Sequence, residues 1–95
     1  MALLPHQKRV PLGTHPGEIL LEEFLRPMKL SQSALAERMG VHVQVVNGIT
    51  RKRRAITAKT AILLSRALKT TPQFWMNLQT AFDLWTAQRE LARSA

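Results

Sequence analysis

Two amide side chains and a run of cations in the middle of the chain carry the chemistry that this sequence offers. Gln44 and Asn47 stand three residues apart, so both fall on one face of a helix. Each amide offers a donor and an acceptor, the pairing that adenine presents in the major groove of DNA. Residues 51–54 follow as RKRR, and such a cluster beside a reading helix suits phosphate contacts. The alternative is a solvated helix face beside a solvated charge run.

The surrounding residues predict how these side chains are positioned. Residues 32–51, QSALAERMGVHVQVVNGITR, have the spacing of two short helices joined by a turn at Gly40, where a positive φ is expected. Ala36 stands where crossing helices need a small side chain. The residues expected to face the core are Leu35, Met39, Val41, Val46 and Ile49. The helix after the turn then leaves four residues facing outward as candidates for base readout: Val43, Gln44, Asn47 and Gly48.

Two groups of residues are candidates for contact with DNA phosphates. The first is Gln32, at the start of the first of these helices, where the helix end also faces the backbone. The second is the cation run, which consists of Arg51, Lys52, Arg53 and Arg54. Gly48 would allow close approach to a base, or it is a tolerated gap, and Val43 suits a thymine methyl group.

Composition agrees with a polyanionic partner and argues against several other classes. The 95 residues suffice for one domain, and 14 Lys and Arg against 6 Asp and Glu give a net charge of +8. There is no cysteine, and the apolar runs are too short for a signal peptide or a membrane span, so we expect a cytoplasmic protein. The three histidines lack metal-ligand spacing, and no catalytic motif or glycine-rich loop occurs. We therefore expect no enzyme, metal or cofactor.

The periodicity of the chain predicts an all-α fold in two parts. Residues 1–14 are predicted to be a basic, flexible arm, whose Lys8 and Arg9 would touch phosphate or a protein partner if the arm is more than a disordered tail. Residues 15–95 are predicted to form a helix-turn-helix domain with a C-terminal dimerisation helix. Its first helix is expected to start at HPGE, 15–18, and to end at Arg26 and Pro27, because proline blocks continuation. Ser31, Thr57 and Thr71 are expected to cap the second, fourth and last helices.

The aromatic residues of the last helix bear on oligomeric state. Phe74 and Leu78 are predicted to complete the core, while Phe82 and Trp85 are predicted to lie at least partly at a dimer contact. The alternative is that all the aromatic rings finish the monomer core. Twofold binding to an inverted repeat requires a dimer, with half-sites about one DNA turn apart.

Several segments together resemble the HigA/VapI family of antitoxins, within the Cro/cI-repressor-like helix-turn-helix class. They are HPGEIL at 15–20, EEFL at 22–25, LSQSALAERMGV at 30–41, RRAIT at 53–57 and TTPQFWMNLQTAFDLW at 70–85. The resemblance implies a five-helix, lambda-repressor-like domain. One departure is that many relatives carry Asn-Gly after the reading helix, where this chain has Arg51 and Lys52.

The resemblance also implies a two-part function and its partners. Proteins of this kind repress their own operon as homodimers on a double-stranded DNA operator, and they neutralise a small ribonuclease toxin of HigB type. A ribonuclease should be basic around its site, so Glu18, Glu22 and Glu23 are candidates for toxin contact, or they merely solvate the first helix. The alternative functions are a stand-alone transcriptional regulator without a toxin and a protein-binding module that no longer binds DNA.

Overall fold

Five helices make up the part of the chain that the computed structural model describes, residues 10–94. Helix α1 consists of three consecutive segments, Pro16–Ile19, Leu20–Leu25 and Arg26–Met28, the middle one a π-helix. The others are α2 (Gln32–Met39), α3 (Val43–Thr50), α4 (Ala58–Leu68) and α5 (Pro72–Ser94). No strand occurs among the described residues. The predicted all-α, five-helix fold is therefore confirmed.

The core is built around Trp75, whose side chain is fully buried. The rings of Phe24 and Phe74 lie 5.1 and 4.9 Å from it, and its indole N–H donates to the Thr70 hydroxyl at 2.7 Å. Each of the five helices contributes buried apolar residues to the same cluster. The predicted core positions Leu35, Ala36, Met39, Val46, Ile49, Phe74 and Leu78 are all buried, while Val41 packs partly buried at its edge.

Helix α1 begins as predicted but does not end where the sequence suggested. His15 caps it, because its Nδ1 accepts the backbone N–H of Gly17 at 2.9 Å, and Pro16 fills the first helical position. The helix continues through Pro27 to Met28, so the predicted end at Pro27 is wrong. In a regular α-helix the ring of Pro27 would clash with the backbone carbonyl four residues earlier. The π-helical turn before Pro27 shifts that carbonyl, so the helix can continue. Lys29, with φ +53°, then closes the helix.

Gly17 fixes the distance between the start of α1 and the end of α3. A Cβ at this position would overlap the backbone carbonyl of Ile49, the last buried residue of α3. The two backbones are therefore in direct contact, which is possible only without a side chain. This contact explains why glycine follows the capping His15 and Pro16, and it anchors the C-terminal end of α3.

Residues 10–14 pack against α5 instead of projecting from the domain. Gly13, with φ +80°, lies so close to Trp85 that a Cβ would come within 2.7 Å of the indole ring. Residues 10–14 and α5 enclose a small cavity of about 110 Å³ against Leu78 and Phe82. The rest of the predicted arm, including Lys8 and Arg9, lies outside the described residues.

Substitution of Gly17 by alanine should destabilise the fold by about 3 kcal/mol, because α1 or the end of α3 must shift to admit a methyl group. The matched control is Gly40→Ala, where φ is +71° but a Cβ would meet no atom within 4 Å. That variant should lose only about 1 kcal/mol through backbone strain. Urea unfolding of both variants measures the difference, and equal losses would contradict a steric role for Gly17.

Stability should fall as the pH drops below about 6.5 because of His15. Burial lowers the pKa of His15 below its usual 6.5, and the positive charge of Lys52 lowers it further, against the opposing carboxylates of Glu18 and Asp83. The unfolded chain therefore binds this proton more readily than the folded one. The stabilisation is complete above 6.5 and is lost as the pH falls through the lowered folded value.

Thermal unfolding between about pH 5 and pH 8 measures this dependence. The variant His15→Asn keeps a capping side chain but removes the titrating ring, so its midpoint should fall less steeply with acidification. Identical slopes for the two proteins would assign the pH dependence to other groups.

Candidate nucleic-acid interface

The turn between α2 and α3 has the geometry that the sequence predicts. The Ser31 hydroxyl accepts the N–H of Ala34 at 3.0 Å and caps α2. Gly40 closes α2 with φ +71°, and the next N–H, from Val41, donates to the carbonyl of Ala36 at 3.0 Å. The valine-rich α3 is a poor helix former, and burial of its Val46 and Ile49 holds it in place.

The outward face of α3 differs along its length. Gln44 is exposed, whereas Val43 and Asn47 are half-buried. Gly48 is covered by the aliphatic part of Arg54, which a Cβ at Gly48 would meet at 3.0 Å. The gap that the sequence predicts at Gly48 is thus occupied by a side chain from the following loop, and the guanidinium of Arg54 is carried alongside the face of α3.

The cations that follow α3 form a loop that folds back on the helix end. The carbonyl of Gly48 accepts the N–H groups of Arg53 and Arg54 at 2.8 and 3.0 Å. The side chains of Arg51, Arg53 and Arg54 are exposed. We call residues 51–54 the basic loop. Its exposed arginines lie at the C-terminal end of α3, next to the predicted base-reading residues.

Lys52 differs from the three arginines of the basic loop. Its φ is +64°, the left-handed conformation that glycine adopts most easily, and its Nζ lies 3.1 Å from a carboxylate oxygen of Glu18 in α1. The structure therefore places the ammonium group of Lys52 beside α1, and the predicted phosphate contacts of all four cations stay a prediction.

Gln79 of α5 holds the segment that follows the basic loop. Its buried Oε1 accepts the backbone N–H of Ile56 at 2.7 Å, and its Nε2 donates to Asp83 at 2.8 Å. Both ends of the amide are thereby satisfied, which makes its burial inexpensive. Sequence reasoning missed this residue. The available signal was a glutamine beside Leu78 in the buried stripe of the last helix.

Gln32 links the start of α2 to the end of α3. Its Oε1 accepts the hydroxyl of Thr50 at 3.3 Å, and the same hydroxyl lies 3.1 Å from the carbonyl of Asn47. The contact uses the carbonyl oxygen of the Gln32 amide, whereas donation to a phosphate would use its NH₂ group. The placement is therefore compatible with the predicted phosphate contact, which stays a prediction.

The three candidate acids on α1 are not equally available. Glu18 pairs with Lys52, and Glu22 pairs with Arg26 at 3.1 Å one helical turn away. Glu23 is half-buried. Both ion pairs are about half exposed to solvent, so they are weak and readily exchanged for other partners.

The predicted dimer residues Phe82 and Trp85 are half-buried within the chain itself. Phe82 packs edge-on against His15, with ring centroids 4.9 Å apart. Trp85 lies beneath Gly13, with the guanidinium of Arg89 4.9 Å from its ring centre. The large apolar residues that α5 leaves exposed are Leu84 and Leu91, at 56% and 72%, which sequence reasoning missed.

No cluster of three or more potential metal-ligating side chains occurs among residues 10–94. Within the same range, none of the helices is both long enough and apolar enough to cross a membrane.

Comparison with known proteins agrees with this geometry. A family model described as helix-turn-helix matches residues 21–75, which span α2, α3 and α4. The antitoxin HigA-1 of Vibrio cholerae serotype O1 is 43% identical over 93% of this chain and 81% of its own length.

Two solved structures show the same likeness in three dimensions. One is the Pseudomonas aeruginosa antitoxin HigA with the higBA promoter, with a TM-score of 0.82 and 44% identity over 86% of this chain and 89% of the other. The second is the antitoxin GraA in complex with its operator, with a TM-score of 0.81 and 48% identity over 94% and 90% of the two chains. The chain thus belongs to the helix-turn-helix family, among the HigA-type antitoxins.

Proposed function

We propose that this protein is the antitoxin of a type II toxin-antitoxin module, which represses its own operon and neutralises a HigB-type ribonuclease. The observation that carries the first part is the outward face of α3, where Gln44 and Asn47 lie beside the arginines of the basic loop. Relatives of the same fold are bound to promoter or operator DNA, which supports an operator as the ligand. Since the operator and the toxin would both lie in the cytoplasm, the protein would act there.

The contacts divide by chemistry along α3. Val43, Gln44 and Asn47 would read base edges, while Gly48 would contribute by admitting Arg54 to the same face. Gln32, Arg51, Arg53 and Arg54 would bind phosphates. Lys52, whose ammonium group lies beside Glu18 of α1, would contribute mainly long-range charge.

A dimer would present two copies of α3 to an inverted repeat. We place its interface along α5, where Leu84 and Leu91 lie one heptad apart on the exposed helix and Phe82 and Trp85 lie at the edge of the domain. Helix α5 has 23 residues, and its last two turns are exposed on all sides. The monomer core therefore stabilises these turns little, which supports a partner there.

The toxin would bind through the acidic face of α1. Glu22 and Glu18 already hold cations through exposed ion pairs, so a basic partner can replace Arg26 and Lys52 at little energetic cost. Glu23 adds a third carboxylate next to Glu22. This assignment depends on charge complementarity with a ribonuclease.

Replacing Asn47 or Gln44 by alanine should cost about 1 to 3 kcal/mol of binding to the upstream region of the gene, and little on random DNA. Replacing Arg53 and Arg54 by alanine should weaken binding to both DNAs alike. It should also flatten the dependence of affinity on salt, because fewer counterions are released.

Lys52→Ala is the matched control for the arginine variants, and it should change the salt dependence less. Fluorescence anisotropy across a salt series measures all of these affinities, and the same titration should give two chains per operator. Equal losses on both DNAs for Asn47→Ala would remove the base-reading role. An unchanged salt slope in the double arginine variant would remove the phosphate role.

Co-expression tests the antitoxin function. The small open reading frame adjacent to the gene should arrest growth and degrade cellular RNA when expressed alone, and this protein should reverse both effects. The variant Asn47→Ala should still protect, because neutralisation does not use the DNA-reading face. A harmless neighbour, or toxicity that this protein leaves unchanged, would leave only a DNA-binding regulator.

A further inference from the structure

The ring of His42 is held in one orientation immediately before α3. Its Nδ1 accepts the backbone N–H of Gln44 at 3.1 Å and so caps the helix. A ring nitrogen that accepts a hydrogen bond carries no proton, so the neutral imidazole bears its proton on Nε2. The residue is exposed. His42 therefore presents one N–H donor, in a fixed position, to whatever lies against the start of α3.

The position of this donor relative to α3 indicates what it meets. α3 has eight residues and is about 12 Å long, which is about the width of the major groove of DNA. The basic loop lies at its C-terminal end, and His42 lies at the other. Gln44 is the second residue of α3 and Asn47 the fifth, so a helix that presents both to base edges has the residue before its start at one border of the groove and the basic loop at the other.

Charge at the two ends of α3 is different. The basic loop carries exposed arginines, whereas Glu37 of α2 lines the same open groove as His42, a concavity of about 570 Å³. The positive end of the α3 dipole and the neighbouring Arg38 offset the charge of Glu37, and a directional donor would add a specific contact to a phosphate at this end. A neutral imidazole N–H supplies such a donor.

We infer that the Nε2–H group of His42 donates a hydrogen bond to a phosphate oxygen of the DNA strand opposite the one that the basic loop contacts. The inference rests on the proposed operator binding and adds a residue to that surface. It gives His42 two roles, because the nitrogen that caps α3 also orients the nitrogen that binds DNA.

The variant His42→Asn tests the inference, because asparagine is an equally good helix cap but lacks the imidazole donor. The full-length protein is titrated with a duplex from the region upstream of its gene and with a scrambled duplex of the same composition. The variant should bind both about five- to tenfold more weakly at about pH 8. Its salt slope should equal that of the wild type, because a neutral donor releases no counterion.

His15→Asn provides the matched control. His15 makes the same capping bond through Nδ1, but it is buried against Phe82 and has no access to DNA. Its variant should retain wild-type affinity below its unfolding temperature. A second capping variant, His42→Ser, keeps the test valid if asparagine lowers the unfolding midpoint.

Methylphosphonate substitution locates the contact. Neutralising the contacted phosphate should weaken wild-type binding and should cost His42→Asn no further affinity. Wild-type affinity of both His42 variants would overturn the inference while leaving operator binding intact. A loss confined to the upstream duplex would move His42 to a base edge, and a flattened salt slope would indicate a charged contact; either result overturns the neutral phosphate donor. Failure of the wild type to bind either duplex would overturn the inference and the proposed function together.

Discussion

The contact between the backbones of Gly17 and Ile49 is the constraint on which the rest of the DNA-facing surface depends. α3 is short and rich in valine, so its own helical propensity cannot fix where it ends. The start of α1 presses directly on its last turn, and only glycine allows this approach. The contact with α1 therefore fixes the end of α3, which is where the basic loop starts and folds back onto Gly48.

Local rules explain the part of the fold that the sequence predicted. Caps at Ser31 and Thr57, the left-handed Gly40 and the periodic apolar positions each depend on neighbours in the chain, and the structure confirms them. The left-handed residues at or just after three helix ends, Lys29, Lys52 and Lys69, were not foreseeable in the same way, because each places a side chain where glycine is preferred. Their positive charges lie at the negative ends of helix dipoles, which offsets part of that strain.

Two features of the candidate site that sequence reasoning missed join residues distant in the chain. The amide of Gln79 accepts the N–H of Ile56, 23 positions away, and Lys52 in the loop after α3 pairs with Glu18 of α1. Arg54 covers Gly48 only because the loop turns back on itself. Spacing along a sequence shows which residues share a helix face, but it does not show which distant side chain will reach that face. As a result, the base-reading residues could be proposed from sequence, whereas the different placements of Lys52 and the three arginines required the structure.

The way in which Arg54 rests on Gly48 links two positions that would otherwise vary independently. Any larger residue at position 48 would displace the arginine stem from α3 and would place a new side chain on the reading face. A single substitution there would thus both delete one contact and create another. During divergence of duplicated copies, residues 48 and 54 are therefore expected to change as a pair, and a shift in operator preference would need few mutational steps.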